Sequence, residues 1–225
     1  PLTIPSKFLQ PAEGPLNHGI KRNEGFEALT LTPDEQHLYT ASEAALAQDG
    51  EGATLTHGTT ARILEFTLKD GRYVAAREFP YTLDPVPPVP FTPRFMINGL
   101  VEMIALGGNE FLTMERAYAE ESGGEGRRAT FIKIFRMSLD GATDISSFDS
   151  IRGRTDLKAA RKRLILDVNK AKGLPPELLQ AKFDNFEGMC FGPALADGSR
   201  TLIVVSDDNF DTVRQRTWFL LFRIH

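Results

Sequence analysis

The chain has 225 residues, of which 41% are hydrophobic and 25% charged, and its formal net charge is −4. This composition is typical of a globular domain. The acidic balance disfavours a nucleic-acid partner, and no apolar run approaches the roughly 18 residues of a membrane span. The single cysteine, Cys190, excludes an internal disulfide and a cysteine-rich zinc site.

Short apolar runs separated by turn residues predict a mostly β fold. Eleven strands are expected, near residues 27–32, 37–43, 62–69, 73–79, 101–106, 110–116, 130–137, 162–168, 187–191, 201–206 and 217–224. Asp70-Gly71, between two of these strands, is typical of a tight hairpin. Two short helices are predicted, over Thr155–Lys162 and over Pro175–Ala181, where proline stands at the start.

Three segments carry no strand pattern and are expected to be loops. Ala47–Thr60 is rich in glycine, threonine and aspartate, and Glu120–Arg128 is rich in glycine and glutamate. Leu83–Pro93 contains five prolines, so it is expected to be extended and to lie outside the middle of a sheet.

An acidic pattern occurs three times, each time across a pair of predicted strands. One carboxylate opens a short apolar strand, and one or two more close the next strand. The opening residues are Glu27, Glu102 and Glu187, and the closing residues are Glu43, Glu115, Asp207 and Asp208. Carboxylates among apolar residues are costly to bury unless they are paired, hydrogen-bonded or bound to a metal. The repetition therefore predicts one shared acidic centre.

The spacing of the pattern favours a β-propeller. The three opening glutamates are 75 and 85 residues apart, and a four-stranded blade needs about 40–50 residues. We therefore expect one domain over residues 1–225, with blade-like repeats of antiparallel strands near 23–80, 98–168 and 185–225. Propellers close with typically 4–8 blades, so either further sequence precedes Pro1 or Leu2–Leu9 supplies a closing strand. An irregular β-sandwich is the alternative architecture.

The same residues resemble the phytase-like ("esterase-like activity of phytase") β-propeller family of bacterial proteins. The matching segments are Asn23-Glu-Gly-Phe-Glu-Ala-Leu29, Leu112-Thr-Met-Glu-Arg116, Asn185-Phe-Glu-Gly-Met189 and Ser206-Asp-Asp-Asn-Phe210. Ala28 stands where the family more often has glycine. The resemblance runs from about Lys7 to the C-terminus. It implies that an N-terminal segment of the same domain is missing, and that the protein is periplasmic or extracellular.

In a propeller the first strand of each blade lines the central channel, so Glu27, Glu102 and Glu187 are the predicted catalytic residues. Clustered carboxylates need a proton or a cation, and hard oxygen ligands favour Ca²⁺ or Mg²⁺. The metal ligands predicted for such an ion are Glu43, Glu115, Asp207 and Asp208. The ion would hold a phosphate oxygen and activate water, while Arg22 and Arg116 would bind an anionic substrate group.

The sequence therefore predicts a metal-dependent hydrolase that acts on a small phosphoester or phosphodiester. No Gly-x-Ser-x-Gly segment or Walker A loop is present, which disfavours a serine esterase and a nucleotide-binding enzyme. The alternative is a non-catalytic scaffold whose acidic residues brace neighbouring blades and whose loops bind a ligand or a protein. Asp207 and Asp208 also suit a turn, in which aspartate side chains accept backbone hydrogen bonds.

Overall fold

The computed structural model describes residues 2–121, 126–180, 183–211, 213 and 215–224. Within these ranges the chain forms eleven strands in three antiparallel sheets. Sheet I contains β1 (Phe26–Leu31), β2 (His37–Ser42), β3 (Thr59–Lys69) and β4 (Arg72–Leu83). Sheet II contains β5 (Phe95–Gly107), β6 (Glu110–Glu120), β7 (Arg128–Ser138) and β8 (Arg161–Asp167). Sheet III contains β9 (Asn185–Ala194), β10 (Arg200–Asp207) and β11 (Phe219–Ile224).

The all-β class and the eleven predicted strands are confirmed. Each sheet is a meander, in which strands that follow one another in sequence also pair with one another. The predicted hairpin joins β3 to β4, where Lys69 pairs with Arg72. Asp70 and Gly71 both have positive φ, at 49° and 74°, as a two-residue type I′ turn requires.

The helix predicted over Thr155–Lys162 is wrong. Residues 157–160 have no regular structure. Arg161 begins β8 and pairs with Ser138, the last residue of β7. Backbone bonds to distant residues, with Lys158 accepting from Thr143 and Ala160 donating to Pro80, have overridden a weak local preference. The second helix is confirmed as α1 (Pro176–Gln180), although Ala181 lies outside the described residues.

Besides α1, single turns of 3₁₀ helix occur at Ser6–Phe8 and Val168–Lys170. In the part of the chain that the structure describes, no helix is long and apolar enough to cross a membrane. Residues 122–125, in the middle of the predicted loop Glu120–Arg128, lie outside the described residues.

Sheet II packs between the other two sheets. Its face that carries Leu100 and Phe111 shares a core with Tyr39 and Tyr81 of sheet I. Its opposite face shares a second core with sheet III, formed by Val101, Met114, Ile132, Phe186 and Val204. The first strands of the three sheets are neighbours, because β5 contacts both β1 and β9. Residues near the beginning of each first strand therefore come together.

Each first strand carries a β-bulge, near the beginning of β1 and β9 and in the middle of β5, and the bulge redirects a side chain at that point. The extra residue is Glu27 in β1, Val101 in β5 and Glu187 in β9. The expected equivalence of Glu102 with Glu27 and Glu187 is therefore wrong by one residue. A bulge redirects the side chain at that point, so an apolar residue occupies the position in sheet II.

Glu115, a predicted metal ligand, lies in the interior between sheets I and II. Its side chain is 2% exposed and accepts hydrogen bonds from Tyr81 Oη at 2.8 Å and Lys162 Nζ at 2.5 Å. Lys162 also pairs with Asp84 at 3.2 Å and lies 4.5 Å from the centre of the Phe135 ring. Burial raises the pKa of Glu115. This ion pair joins β8 and β6 to the end of β4.

Replacing Lys162 with methionine should leave a buried, unpaired carboxylate. We expect Lys162→Met to lower the free energy of unfolding by about 3–5 kcal/mol at pH 8. The loss should be smaller at pH 5, because burial raises the pKa of Glu115 and the lower pH therefore favours its uncharged form. Urea denaturation at both pH values measures the effect.

Lys170→Met is the matched control. Lys170 is exposed and pairs with Asp167 at 2.9 Å, so its loss should be below about 0.5 kcal/mol. Equal, small losses for the two variants at pH 8 would show that the interior ion pair does not hold the sheets together.

Candidate functional site

A cleft of about 460 Å³ opens where the N-terminal ends of β1, β5 and β9 meet. Every sheet contributes to its walls, and most of the lining side chains are polar or charged. The acidic residues are Glu24, Glu27, Glu43, Asp184 and Glu187, and the basic residues are Arg22, Arg116 and Arg128. Tyr118, Asn185 and Asn209 add hydroxyl and amide groups.

The guanidinium of Arg116 connects two carboxylates in the cleft. Its Nη2 lies 3.0 Å from Glu43 Oε1, and its Nη1 lies 2.9 Å from Glu187 Oε1. Arg116 belongs to β6 of sheet II, Glu43 directly follows β2 of sheet I, and Glu187 is the bulge residue of β9 in sheet III. One side chain therefore links all three sheets. The Nε of Arg116 is buried, and no partner for it is found among the described residues.

Glu43 is held against sheet II by a backbone hydrogen bond, and its side chain fits there because residue 99 is a glycine. Its N–H donates to the carbonyl of Gly25, and its carbonyl accepts from the N–H of Leu100, both at 2.8 Å. A Cβ built on Gly99 would lie 2.5 Å from Glu43 Oε1 and 2.9 Å from its Cδ. Only glycine at position 99 leaves room for the carboxyl group.

Burial changes the acidity of the cleft. It raises the pKa of the Glu43 carboxyl to about 7, and the nearby charge of Glu27 adds to this rise although Arg116 opposes it. Burial likewise raises the pKa of Glu187 and of Glu24. Since the ordinary value for Glu43 is 4.5, its protonated form favours folding at acidic pH, and this contribution is lost as the pH rises from about 4.5 to about 7.

The structure brings five of the predicted site residues to the cleft: Arg22, Glu27, Glu43, Arg116 and Glu187. Glu102 lies elsewhere. It accepts a hydrogen bond from the N–H of Met103 at 2.8 Å and another from the backbone of Met189 in sheet III. Its contacts match the bracing between sheets that the alternative interpretation described.

The remaining predicted ligands also lie outside the lining of the cleft. Glu115 is in the buried ion pair with Lys162. Asp207 and Asp208 begin the turn that follows β10, where their Oδ1 atoms each accept a backbone N–H at 3.0 Å, from Asn209 and Phe210. These bonds are those of an aspartate turn.

Sequence reasoning missed several cleft residues. Tyr118 follows Arg116 by two positions in β6, so it points to the same side of the sheet, and the period of two could have identified it. Asp184 precedes β9 and accepts the N–H of Arg216 at 2.8 Å. Arg128 comes from the start of β7. No local pattern marks these last two residues.

The donor set does not fit a divalent cation. Within the described ranges, no three His, Cys, Asp or Glu side chains are placed to hold a metal ion. The guanidinium of Arg116 stands between Glu43 and Glu187, so an ion there would meet a like charge. Ca²⁺ takes 6–8 oxygen ligands, and two carboxylates that are already paired do not supply them. No step of the chemistry is therefore assigned to a metal.

Replacing Gly99 with alanine tests how Glu43 is positioned. We expect Gly99→Ala to displace the Glu43 carboxyl from Arg116 and to lower the free energy of unfolding by about 1–3 kcal/mol, because the added methyl group overpacks the site. Urea denaturation measures the loss, and carboxyl-detected NMR measures the pKa of Glu43, which should change.

Gly25→Ala is the control, because Gly25 precedes the bulge of β1 as Gly99 precedes that of β5. A Cβ built on Gly25 meets nothing within 4 Å. The free energy of unfolding of Gly25→Ala should therefore stay within about 1 kcal/mol of that of the parent protein. The steric argument fails if Gly99→Ala behaves like Gly25→Ala.

Comparison with known proteins gives a family. The family described as "Phytase-like: Esterase-like activity of phytase" matches residues 1–210 of this chain. No curated protein matches the sequence significantly. Among solved structures, the periplasmic gluconolactonase PpgL of Pseudomonas aeruginosa is similar at 12% identity, over 94% of this chain and 75% of that chain, with a TM-score of 0.20, which is too low to support any argument. The chain belongs to the phytase-like family named for the esterase-like activity of phytase.

Proposed function

We propose that the cleft hydrolyses phosphate esters, and that it prefers phosphodiesters to phosphomonoesters. The observation that carries the proposal is a buried carboxyl group, Glu43, whose pKa of about 7 leaves it partly protonated near neutral pH beside the guanidinium of Arg116. A carboxylic acid that keeps its proton at this pH can serve as a general acid. Membership of the phytase-like family supports the same class of reaction.

The proposal includes a propeller arrangement in which sheets I, II and III are successive blades. Each sheet is a meander, and β5 contacts both β1 and β9. These contacts are those expected if the first strand of each blade faces a common axis. The cleft then lies at one mouth of the channel, where the beginnings of the first strands meet.

Three side chains have roles in the reaction. Glu27 is exposed at the cleft and takes a proton from water. The water oxygen bonds to phosphorus while the bond from phosphorus to the leaving oxygen breaks, and Glu43 gives its proton to that oxygen. Arg116 stabilises the charge that develops on the phosphoryl oxygens. Exchange with solvent then returns a proton to Glu43 and removes one from Glu27.

Protonation of Glu43 also affects Arg116. When Glu43 is neutral, its electrostatic attraction to the guanidinium is lost. One side of Arg116 then becomes available to bind a phosphoryl oxygen. Glu187 keeps the guanidinium in place from the other side. Activity should therefore depend on the protonated form of Glu43, and should decline as the pH rises through about 7.

The charge of the cleft decides between substrates. Five acidic side chains line it against three arginines, so it disfavours a phosphomonoester, which carries close to two negative charges at neutral pH. A phosphodiester carries one. The same balance favours an uncharged carboxylic ester as the second candidate substrate, since Arg116 could then stabilise an oxyanion.

Two earlier expectations remain predictions. Dependence on Ca²⁺ or Mg²⁺ is one of them, and the described cleft residues include no set of ligands that fits such an ion. A periplasmic or extracellular location rests only on the resemblance. The non-catalytic scaffold is the alternative to hydrolysis, and Glu102, which bonds the backbone of Met189, is the residue that favours it.

Assays with bis-p-nitrophenyl phosphate, p-nitrophenyl phosphate and p-nitrophenyl acetate from pH 5 to 9 test the proposal, each with Ca²⁺ and with EDTA. We expect the diester to be hydrolysed fastest among the phosphates, with a rate that falls above pH 7. Glu43→Gln should lower kcat about 100- to 10,000-fold, because its amide has no proton to give, and the alkaline decline should disappear from any residual rate.

Glu102→Gln is the matched control, because Glu102 lies outside the cleft and the same substitution there leaves an amide oxygen that can accept a backbone hydrogen bond. It should keep full activity. Turnover of none of the three compounds under any condition would favour the scaffold, and equal loss in both variants would remove Glu43 from its role.

A further inference from the structure

Arg116 lies at a position that an acidic residue occupies in each of the other two sheets. Gly99 pairs with Arg116 in sheet II, as Asn185 pairs with Asp207 in sheet III. In sheet I, Glu43 donates its N–H to Gly25 in the corresponding position. Two of the three equivalent positions therefore hold carboxylates, and the third holds a guanidinium.

We infer that Arg116 is a tethered cation, which holds Glu43 and Glu187 together as a divalent metal ion would and thereby prevents a free divalent cation from binding in the cleft. The inference concerns the same cleft as the proposed function and gives a physical reason why the donor set there does not fit a divalent cation. It does not depend on the reaction, since cation binding can be measured without turnover.

The geometry supports this role. The two terminal nitrogens of one planar guanidinium contact one oxygen from each carboxylate, at 3.0 Å and 2.9 Å. Each carboxylate therefore turns one oxygen toward the same positive group. Glu43 is 3% exposed, and its carboxyl group lies in the space that Gly99 leaves open on sheet II. Its backbone is bonded to Gly25 and Leu100, independently of Arg116.

Electrostatics explains why a cation is required. Glu27 is close enough for its charge to raise the pKa of both Glu43 and Glu187, and Asp207 acts in the same direction on Glu187. Without Arg116, neighbouring carboxylates must bind protons or recruit a cation. Arg22 also lines the cleft, but the structure shows no contact of Arg22 with Glu43 or Glu187 among the described residues. Arg116 is the cation that is paired with both.

Removing the arginine should therefore create a cation site. Calorimetric titration with CaCl₂ at pH 7.5 should show no saturable binding to the parent protein below about 10 mM. Arg116→Met should bind one Ca²⁺ with a Kd of about 0.1–1 mM, in the range of weak extracellular calcium sites. The affinity should fall at least tenfold in the double variant Arg116→Met/Glu187→Gln, which loses one carboxylate.

Arg136→Met is the control for loss of an arginine. Arg136 is exposed and pairs with one carboxylate, that of Glu110 at 2.8 Å, so its loss should create no calcium site. Saturable binding of Ca²⁺ to the parent protein that Glu187→Gln abolishes contradicts the inference, as does a folded Arg116→Met protein without saturable binding.

Folding provides a second measurement. If Arg116→Met is unfolded in EDTA by circular dichroism, refolding in 10 mM CaCl₂ supports the inference, and failure to refold in CaCl₂ overturns it. Esterase assays are not needed for either result. The parent protein can therefore fail to hydrolyse any test compound while Arg116→Met gains calcium binding. Conversely, the parent can be active while Arg116→Met binds no calcium, so the two proposals are tested separately.

Discussion

The contact of Arg116 with Glu43 and Glu187 is the interaction on which the cleft depends. Three sheets meet at this point, and each contributes one charged side chain to it. A buried carboxylate is costly without a partner, and a buried guanidinium is equally so. Pairing one arginine with two carboxylates therefore fixes how the beginnings of the first strands approach one another. It also leaves one proton that the group can take up near neutral pH, on Glu43.

The bulges in the first strands explain how an almost regular repeat produces an asymmetric site. In sheets I and III the bulge residue is a glutamate that lines the cleft. In sheet II the bulge residue is Val101, which is buried in the core shared with sheet III. Sheet II is packed on both faces, so a carboxylate in this position would lie among apolar side chains. The glutamate of sheet II follows one residue later and bonds backbone N–H groups instead.

Two groups of acidic residues in this chain differ in their surroundings. Glu115, Asp49 and Glu78 lie in the interior and have basic partners. Glu115 pairs with Lys162, and the fully buried Arg62 pairs with Asp49 at 2.7 Å and with Glu78 at 2.9 Å. Those at the cleft outnumber its arginines. Burial, to which the charge of Glu27 adds, raises the pKa of Glu43 and Glu187 and so favours their protonated forms.

Much of the fold could be predicted from the sequence because its signals are local. Alternating apolar residues identified the strands, Asp70-Gly71 identified a hairpin, and proline at the start identified α1. The acidic segments also led to the family. The helix over Thr155–Lys162 failed because its short pattern is compatible with more than one structure, and long-range backbone bonds decided it: Lys158 accepts from Thr143, Ala160 donates to Pro80, and Arg161 and Lys162 pair with β7.

The candidate site divides in the same way. The sequence marked acidic residues and Arg116 near the boundaries of predicted strands, and five of the predicted residues line the cleft. Only the tertiary structure decided which acids face it. A shift of one residue moves a side chain to the other face of a strand, and a bulge causes such a shift without a reliable signal in the sequence. The pairing of Arg116 with two carboxylates was equally hidden, because it joins residues 73 and 71 positions apart.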